Sequence, residues 1–351
     1  MTSCVFLTGA TGFVGSETLA RLLERTDREV VALVRAPDAE GARERLYGVL
    51  EGLGLEDECG RVHAVAGDVT APGLGLSEAE RFAVANRIDA VVHCAASVSF
   101  TLGLPESRAI NVEGTRRVVE LAERAPDLER FVHVSTAYVA GTRPGRFTED
   151  DLDRGQDFRN AYEQSKWEAE RLVRGHAGLP LTVVRPSIVV GDSQTGWTSA
   201  FNVVYHPLQA FARGLVDTIP ADPSSIVDVV PVDYVADGIV AALEAPEPPG
   251  TLALVAGDHA PRLSELTDAA ARFFDRPPPA LEGEPPDGLE AFLPYFTVQT
   301  VFDDSRARAL GLEAPRIESY FDRLMAFAVA TRWGKRPAPR TTAIARTSRA
   351  A

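Results

Sequence analysis

The sequence contains few cysteines and no long uninterrupted apolar run. Its 351 residues include three cysteines, Cys4, Cys59 and Cys94, which are far apart in the chain. Such spacing does not suggest a disulfide framework and is typical of reduced thiols, so we expect a cytoplasmic protein. No segment approaches the roughly 18 uncharged apolar residues that a membrane-spanning helix needs. We therefore expect no membrane span, and the first residues lack the basic region of a signal peptide.

Basic residues are also in deficit. Lys and Arg total 36 against 50 Asp and Glu, which gives a formal net charge of −14. Proteins that bind nucleic acids present a basic surface to the phosphates, so we expect no nucleic-acid partner. The C-terminal segment 335–351 is the exception, because it has five basic residues, no acidic one, and much Pro, Thr and Ala. Its composition predicts a disordered basic tail.

Apolar strand-like runs alternate with amphipathic helical stretches through the first two-thirds of the chain. The strand candidates lie at 4–7, 30–34, 62–66, 90–94, 131–134 and 181–184. Near-continuous β-branched runs suit strands buried on both faces, and their alternation with helices predicts an α/β fold with a Rossmann-type, doubly wound parallel sheet. After Pro186 the pattern becomes mostly helical. We predict a larger domain in 1–190 plus 228–257 and a smaller, mostly helical lobe in 191–227 plus 258–334.

A glycine-rich segment follows the first strand and opens a helix. Residues 8–15 read Thr-Gly-Ala-Thr-Gly-Phe-Val-Gly. Glycines at this spacing permit a tight turn and let a pyrophosphate approach the positive end of the following helix. The strand-turn-helix context is the one that such a motif requires. We therefore predict that a dinucleotide is bound by Gly9, Thr11, Gly12, Phe13, Val14 and Gly15.

The end of the second strand indicates which dinucleotide. An acidic residue there would bind the ribose 2′-hydroxyl of NAD, whereas an arginine suits the 2′-phosphate of NADP. Arg35 stands at this position, 20 residues after Gly15, and Arg43 and Arg45 follow on the next helix. A guanidinium can bind a phosphate through two hydrogen bonds. We therefore predict NADP(H) as cofactor, with Arg35 and Arg45 as ligands and the larger domain as the NADP-binding domain.

Two further strand ends fit the same cofactor. Asp68 and Val69 follow the third strand, where a carboxylate can accept a hydrogen bond from the adenine amino group. Small residues follow the fourth strand and would let the cofactor's sugar lie close: Ala95, Ala96 and Ser97.

Cys94 and Asn111 also lie near the predicted cofactor site. We expect Cys94 to be a small buried thiol rather than a nucleophile, because no evident base adjoins it. Asn111 is predicted to adjoin the cofactor site. Its amide would either fix a neighbouring helix or hold a water for proton relay. We predict no metal site.

Two of the three candidate catalytic residues lie on one predicted helix that begins after Asn160, a good N-cap residue. Tyr162 and Lys166 are four residues apart, so their side chains share one helix face. The pKa of free tyrosine is about 10. A nearby ammonium and the oxidised nicotinamide would stabilise the phenolate and make Tyr162 an acid/base. Thr136, 26 residues earlier at a strand end, can hold the substrate's carbonyl oxygen, and Ser135 is the alternative.

With these residues in place, the chain resembles the extended short-chain dehydrogenases/reductases. Within them it is most similar to the thioester-reductase and fatty acyl-CoA reductase branch, the male-sterility type. The resemblance rests on TGATGFVG (8–15), LVR (33–35), HCAASVSF (93–100), NVEGT (111–115), HVSTAYVAG (133–141), NAYEQSKWEAE (160–170), VVRPSIVVGDSQTGW (183–197) and VPVDYVAD (230–237). It implies that Thr136, Tyr162 and Lys166 are catalytic. It also implies that Tyr162, Lys166, Pro186 and Ile188 contact the cofactor.

The resemblance further implies reduction of an acyl thioester by NADPH. The acyl chain would be carried on CoA or on the pantetheine of an acyl carrier protein, and the product would be an aldehyde or an alcohol. The smaller lobe would bind the substrate, and its aromatic residues are candidates for lining the pocket: Trp197, Phe201, Tyr205, Tyr295 and Phe296.

Other functions remain open on the sequence. The main alternative is an NADP(H)-dependent ketone or aldehyde reductase, or an alcohol or steroid-type dehydrogenase, acting on a free small molecule. Arg35 disfavours a sugar-nucleotide epimerase that retains NAD. The Tyr162–Lys166 pair disfavours a dinucleotide sensor without catalytic activity.

Overall fold

The computed structural model describes residues 3–282 and 293–340. In these ranges the strands are β1 (Cys4–Thr8), β2 (Glu29–Val34), β3 (Val62–Ala66), β4 (Ala90–His93), β5 (Arg130–Val134), β6 (Gly145–Phe147), β7 (Leu181–Pro186), β8 (Ile188–Val190), β9 (Val229–Pro231), β10 (Thr251–Leu254) and β11 (Thr300–Phe302). The α-helices are α1 (Phe13–Arg25), α2 (Ala39–Leu53), α3 (Glu78–Ala85), α4 (Leu104–Asn111), α5 (Glu113–Ala122), α6 (Ala161–Arg174), α7 (Tyr205–Ala212), α8 (Val232–Glu244), α9 (Leu263–Phe274), α10 (Ser305–Ala309) and α11 (Phe321–Ala330).

Seven strands form one sheet in the order β10-β7-β5-β4-β1-β2-β3. The neighbouring pairs from β7 to β3 run parallel, and Phe6 of β1 lies opposite Val31 of β2 and Val91 of β4. All six strands predicted from the apolar runs belong to this sheet. The predicted Rossmann-type fold is therefore confirmed.

The central strands of the sheet are enclosed because they consist mostly of apolar residues. Every residue of β1 is buried. Phe6 belongs to a core cluster with Val91 of β4, Phe131 of β5 and Leu121 of α5. Strands enclosed in this way can meet a ligand only at their ends.

The carboxyl ends of β1 and β4 border the point where the strand order reverses. The chain passes from β1 to β2 and β3 on one side, whereas β4 lies on the other side of β1. Ligands of open α/β sheets bind at such a point. Thr8 and His93 are register partners at this edge. The glycine turn after β1 is thereby placed beside the segment 94–97 that follows β4.

The chain divides into two compact units. The first comprises Met1–Val139, Asn160–Pro186 and Val235–Leu252, and the second comprises Ala140–Arg159, Ser187–Tyr234 and Ala253–Ala351. The main difference from the sequence-based boundaries is the segment 140–159, which the sequence analysis assigns to the larger domain. Its strand β6 pairs in parallel with β11 of the second unit. A pairing between segments so distant in sequence has no local signal.

The beginning of the predicted tail is part of the second unit. Trp197 Nε1 donates a hydrogen bond of 3.0 Å to the carbonyl oxygen of Ala338, and Arg340 is buried. Residues 335–340, the described start of the predicted tail, therefore make contacts within the second unit. Residues 341–351 lie outside the described residues.

The described residues meet the requirements of neither a membrane-spanning helix nor a metal-binding cluster. No helix in 3–282 or 293–340 combines the length and apolarity needed to cross a membrane. In the same ranges, no group of three or more His, Cys, Asp or Glu side chains is placed to hold a metal ion.

Candidate active site

The glycine turn lies directly against the end of β4. Gly9 has a φ of 78°, and Gly12 N donates to Gly9 O at 2.8 Å, which closes the turn. A Cβ atom on Gly9 would lie 2.8 Å from the backbone nitrogen of Ala95 and 2.8 Å from the carbonyl carbon of Cys94. Both the conformation and the contact therefore require glycine.

Gly12 and Gly15 face different surroundings. A Cβ atom on Gly15 would lie 2.1 Å from Gly9 O, so glycine is what lets α1 pack against the turn. A Cβ atom on Gly12 would meet only Gly9 O, at 3.3 Å. Thr11 and Gly12 are exposed, and within the described residues no side chain caps the N-terminus of α1. An open, uncapped helix start beside small residues fits the pyrophosphate of a dinucleotide.

Arginines surround the end of β2. Arg35 is exposed directly after this strand, and the guanidinium of Arg45 on α2 donates to the carbonyl oxygen of Arg35. The carboxylate of Asp38 accepts from Gly41 N at 2.8 Å and caps α2. The Asp38 carboxylate is therefore engaged in the helix cap, while the Arg45 guanidinium contacts the backbone at the strand end.

The loop after β3 is fixed by its own side chains and by α5. Asp68 Oδ1 accepts from the backbone nitrogen and the hydroxyl of Thr70, both at 2.8 Å. Val69 O accepts from Arg117 at 3.0 Å, and Gly114 of α5 packs closely on the Val69 side chain. Asp68 Oδ2 takes no hydrogen bond from the described part of the chain, so this oxygen is the one that suits an adenine amino group.

A histidine that the sequence analysis did not single out connects the strand ends. His93 lies 2.7 Å through Nδ1 from Thr8 Oγ1 and 2.9 Å through Nε2 from Thr115 Oγ1. The Thr115 hydroxyl donates to Asn111 O, so Nε2 of His93 is the donor and Nδ1 accepts from Thr8. Thr8 Oγ1 in turn accepts from Ala95 N at 3.2 Å. Burial lowers the pKa of His93 to about 3, so the ring stays neutral.

Asn111 connects the loop after β4 to helix α6. Its Oδ1 accepts from Ser97 N at 2.8 Å, and its Nδ2 donates to Ser97 O at 3.1 Å and to Ser165 Oγ at 2.9 Å. Ser165 lies between Tyr162 and Lys166 on α6. Of the two roles expected for the amide, these contacts favour fixing the neighbouring helix.

Helix α6 begins where the sequence predicts it. The side chain of Asn160 caps it by accepting from Glu163 N at 3.0 Å. Lys166, one of two lysines in the chain, is buried, and its Nζ donates to Val134 O at 2.7 Å. Burial lowers the pKa of Lys166 to about 8. The helix thus places its lysine against the end of β5, next to Thr136.

The phenol of Tyr162 is protonated at neutral pH. Burial raises the pKa of Tyr162 to about 12, and a hydrogen bond with the Thr136 side chain only partly opposes this increase. Lys166 is not among the groups that shift this pKa here, and its ammonium donates to the carbonyl of Val134; the predicted stabilisation of the phenolate also involves the oxidised nicotinamide and stays a prediction. The ring of Tyr162 lies against Phe100, with 5.8 Å between ring centroids. This arrangement suits a proton donor.

The two hydroxyls at the end of β5 have different partners. Thr136 Oγ1 accepts from Tyr138 N at 3.3 Å and lies 3.4 Å from Pro186 O. Ser135 Oγ donates to the buried carboxylate of Glu170 at 2.7 Å. Of the two hydroxyls, that of Thr136 is the one whose hydrogen bond lowers the pKa of Tyr162, whereas Ser135 belongs to the charged cluster around Glu170.

Cys94 is not activated in this site. Burial raises the pKa of its thiol to about 12, so it is not a thiolate at neutral pH. Pro186 ends β7 beside Thr136, whereas Ile188 lies in the second unit, where its strand β8 pairs with β9.

The second unit contains an apolar cavity of about 70 Å³. Two of the five aromatic residues suggested by the sequence, Tyr205 and Phe296, line it together with other apolar side chains such as Phe211 and Met325. Trp197 instead binds Ala338, as described above. The cavity is lined almost entirely by hydrocarbon.

Comparisons with known proteins agree with this geometry. The family model described as Male sterility protein, an NAD-binding model, matches residues 7–239. The chain is 36% identical over 268 residues to the L-2-aminoadipate reductase large subunit of Penicillium chrysogenum, covering 70% of this chain and 19% of that protein. It is 32% identical over 276 residues to fatty acyl-CoA reductase 1 of Homo sapiens, covering 68% of this chain and 54% of that protein.

A solved structure is similar over nearly the whole chain. The terminal R domain from the myxalamid PKS-NRPS biosynthetic pathway has a TM-score of 0.82 and 30% sequence identity, covering 96% of this chain and 93% of that one. By contrast, the chain spans about half or less of the curated relatives it matches. The family match includes the glycine turn, Thr136, Tyr162 and Lys166. The chain therefore belongs to the male sterility protein family and is an oxidoreductase of the extended short-chain dehydrogenase/reductase type, with a nicotinamide-dinucleotide-binding domain.

Proposed function

We propose that the protein reduces acyl thioesters with NADPH, giving an aldehyde or an alcohol, with Tyr162 as the proton donor. The observation that supports this most is the phenol of Tyr162, kept protonated by burial and hydrogen-bonded to Thr136 at the end of β5. The hydroxyls of Tyr162 and Thr136 can both donate hydrogen bonds to the carbonyl oxygen of a substrate and stabilise it as it becomes negative during reduction. The relative named fatty acyl-CoA reductase supports an acyl thioester as substrate.

The residues of the first unit have the chemistry to hold the cofactor. The open turn at Gly12 would bind the pyrophosphate, and Asp68 the adenine amino group. Arg35 and Arg45 would bind the 2′-phosphate, and Lys166 the nicotinamide ribose. When bound, the reduced nicotinamide supplies a hydride to the carbonyl carbon of the substrate.

Tyr162 and Thr136 then act on the carbonyl oxygen of the substrate, and the thiol leaves. Tyr162 Oη donates its proton to the carbonyl oxygen, while Thr136 Oγ1 holds that oxygen by a hydrogen bond. When the carbonyl re-forms, the new hydroxyl returns its proton to the Tyr162 phenolate, the carbon–sulfur bond breaks, the thiolate leaves and takes up a proton from solvent, and an aldehyde remains. No acyl-enzyme is required, which agrees with the raised pKa of Cys94.

The first test compares substrates that differ only in the reacting group. A panel of acyl-CoAs, the same acyl groups on a carrier-protein pantetheine, and the matching free aldehydes and ketones are supplied with NADPH. We expect NADPH oxidation, followed by its absorbance, together with release of free thiol from the thioesters. Turnover of free carbonyls alone would instead support a small-molecule carbonyl reductase. Preference for the carrier-bound form over CoA would identify an acyl carrier protein as partner.

The choice of NADPH is tested by removing the two arginines at the end of β2. In Arg35→Ser/Arg45→Ser we expect KM for NADPH to rise by about 100-fold or more, because charge-assisted hydrogen bonds each contribute about 1.5–3 kcal/mol and the variant removes two guanidinium groups. KM for NADH, which lacks the phosphate, should change little and serves as the internal control. Equal losses with both cofactors would contradict the assignment, and so would an unchanged KM for NADPH.

A further inference from the structure

We propose that Glu170 is a positioning residue, whose buried carboxylate holds the helix bearing Tyr162 and Lys166 against the strand ends bearing Thr136 and Pro186. The inference rests on the roles proposed above for Tyr162, Lys166 and Thr136. Glu170 itself is assigned no contact with substrate or cofactor.

The carboxylate of Glu170 is completely enclosed and fully used. Its side chain is 0% exposed, and that of Arg185 is 2% exposed. Arg185 binds both carboxylate oxygens, through Nε at 3.1 Å and Nη2 at 2.6 Å. Arg174 donates to Oε1 at 2.9 Å, and Ser135 Oγ donates to Oε2 at 2.7 Å. These bonds keep the pKa of Glu170 below its usual range despite burial, so the group is an anion.

These hydrogen bonds join one helix to three strand ends. Ser135 on the β5 side directly precedes Thr136, and Arg185 of β7 directly precedes Pro186. Arg174 extends the cluster to β10 by donating to Thr251 Oγ1 at 2.6 Å. One carboxylate thus ties the helix both to the residue before the catalytic hydroxyl and to the residue before Pro186, in addition to the bond from Lys166 Nζ to Val134 O.

The spacing on α6 explains why this carboxylate acts on the catalytic pair. Tyr162, Lys166 and Glu170 follow one another at intervals of four residues, so they share one face of the helix. A shift of that face moves the phenol of Tyr162 relative to Thr136. Misplacement by about 1 Å can lower a rate by about 100-fold.

Glu170 also provides the negative charge near Lys166. The titratable groups facing this lysine are Glu170 on its own helix, Cys94 after β4, His93 on β4 and His133 on β5. Burial raises the pKa of Cys94 to about 12 and lowers the pKa of both histidines, so these three groups are neutral near pH 7. Burial lowers the pKa of Lys166 to about 8, and the charge of Glu170 opposes that decrease.

Three variants separate positioning from simple stabilisation. Glu170→Gln removes the charge with little change in shape. Glu170→Gln alone leaves Arg185 buried without its ionic partner, which is strongly destabilising. Glu170→Gln/Arg185→Met removes both charges of the pair, a replacement that proteins often tolerate. Ser135→Ala breaks the link to β5 and leaves the ion pairs intact. Glu168→Gln is the matched control, since Glu168 lies on the same helix but pairs with Arg108 at the surface.

We expect kcat to fall by about 100-fold in both Glu170 variants and by about 10-fold in Ser135→Ala, with KM for NADPH little changed. Glu168→Gln should match the parent protein. If Glu170 had only a structural role, the substitutions would lower the melting temperature without changing kcat of the folded fraction. That result would overturn the proposal.

A second readout needs no substrate. The chain has two lysines, so ¹³C labelling of the lysine side chains gives two signals, with Lys335 as internal reference. In Glu170→Gln the pKa of Lys166 should fall further below about 8, and the alkaline limb of the kcat/KM profile should move to lower pH with it. An unchanged Lys166 titration in a folded Glu170→Gln protein would contradict the proposal. Because the titration uses the free protein, it is independent of whether thioesters prove to be the substrates.

Discussion

Replacement of Tyr162 by phenylalanine is expected to lower kcat by about 10²- to 10⁴-fold, the usual contribution of a positioned general acid. The phenol is the proton donor in the proposed reaction, and burial holds its pKa at about 12, so at neutral pH it is fully protonated. Phenylalanine keeps the ring that lies against Phe100 and removes only the hydroxyl. The measurement is kcat for thioester reduction in parallel with NADPH affinity by titration of the free protein.

The same substitution at another tyrosine provides the control. Tyr47 lies on α2 and is 48% exposed, so Tyr47→Phe should retain full activity. NADPH affinity should remain within about threefold of the parent in Tyr162→Phe, because the phosphates bind at the glycine turn and not at the phenol. Retention of kcat in Tyr162→Phe would exclude this residue as the proton donor. Loss of NADPH binding would show that the rate falls because the cofactor is no longer bound, and not because a proton donor is missing.

The sequence allowed the fold to be predicted because the signals involved are local. The six apolar runs are strands of one sheet, and the glycine spacing after β1 is fixed by contacts within a few residues, such as Gly15 against Gly9 O. The start of α6 was equally predictable, since Asn160 caps the helix through a hydrogen bond to Glu163 N. These features depend on neighbours in the chain, so a pattern in the sequence describes them.

The parts that escaped prediction depend on pairs of residues far apart in sequence. His93 bridges Thr8 and Thr115, and its place at the start of HCAASVSF does not reveal either partner. The assignment of 140–159 depended on the pairing of β6 with β11. Glu170 is an intermediate case, because its interval of four from Lys166 is visible in the sequence whereas its partner Arg185 becomes evident only in the fold.

Two glycines of the same turn should respond to alanine in opposite ways. In Gly12→Ala the fold should persist, because Gly12 has a φ of −93° and an added Cβ meets only Gly9 O at 3.3 Å. The methyl group would occupy the open side of the turn, where we place the pyrophosphate. We expect the Kd of NADPH to rise by about 10- to 100-fold, the loss of one charge-assisted contact of about 1.5–3 kcal/mol. Calorimetric titration of the purified protein measures it.

Gly15→Ala should lower the stability of the fold instead of the affinity for NADPH. Its Cβ would lie 2.1 Å from the backbone oxygen of Gly9, which cannot yield as a flexible side chain does. We expect the free energy of unfolding to fall by about 3 kcal/mol, the upper end of the usual cost of overpacking. Gly48→Ala on α2 is the control, since nothing lies within 4 Å of its added Cβ, and it should stabilise the protein by about 0.4–1 kcal/mol. If Gly12→Ala lowered stability as much as Gly15→Ala and left the Kd of NADPH unchanged, the open side of the turn would not be the pyrophosphate site, and the cofactor assignment would have to be abandoned.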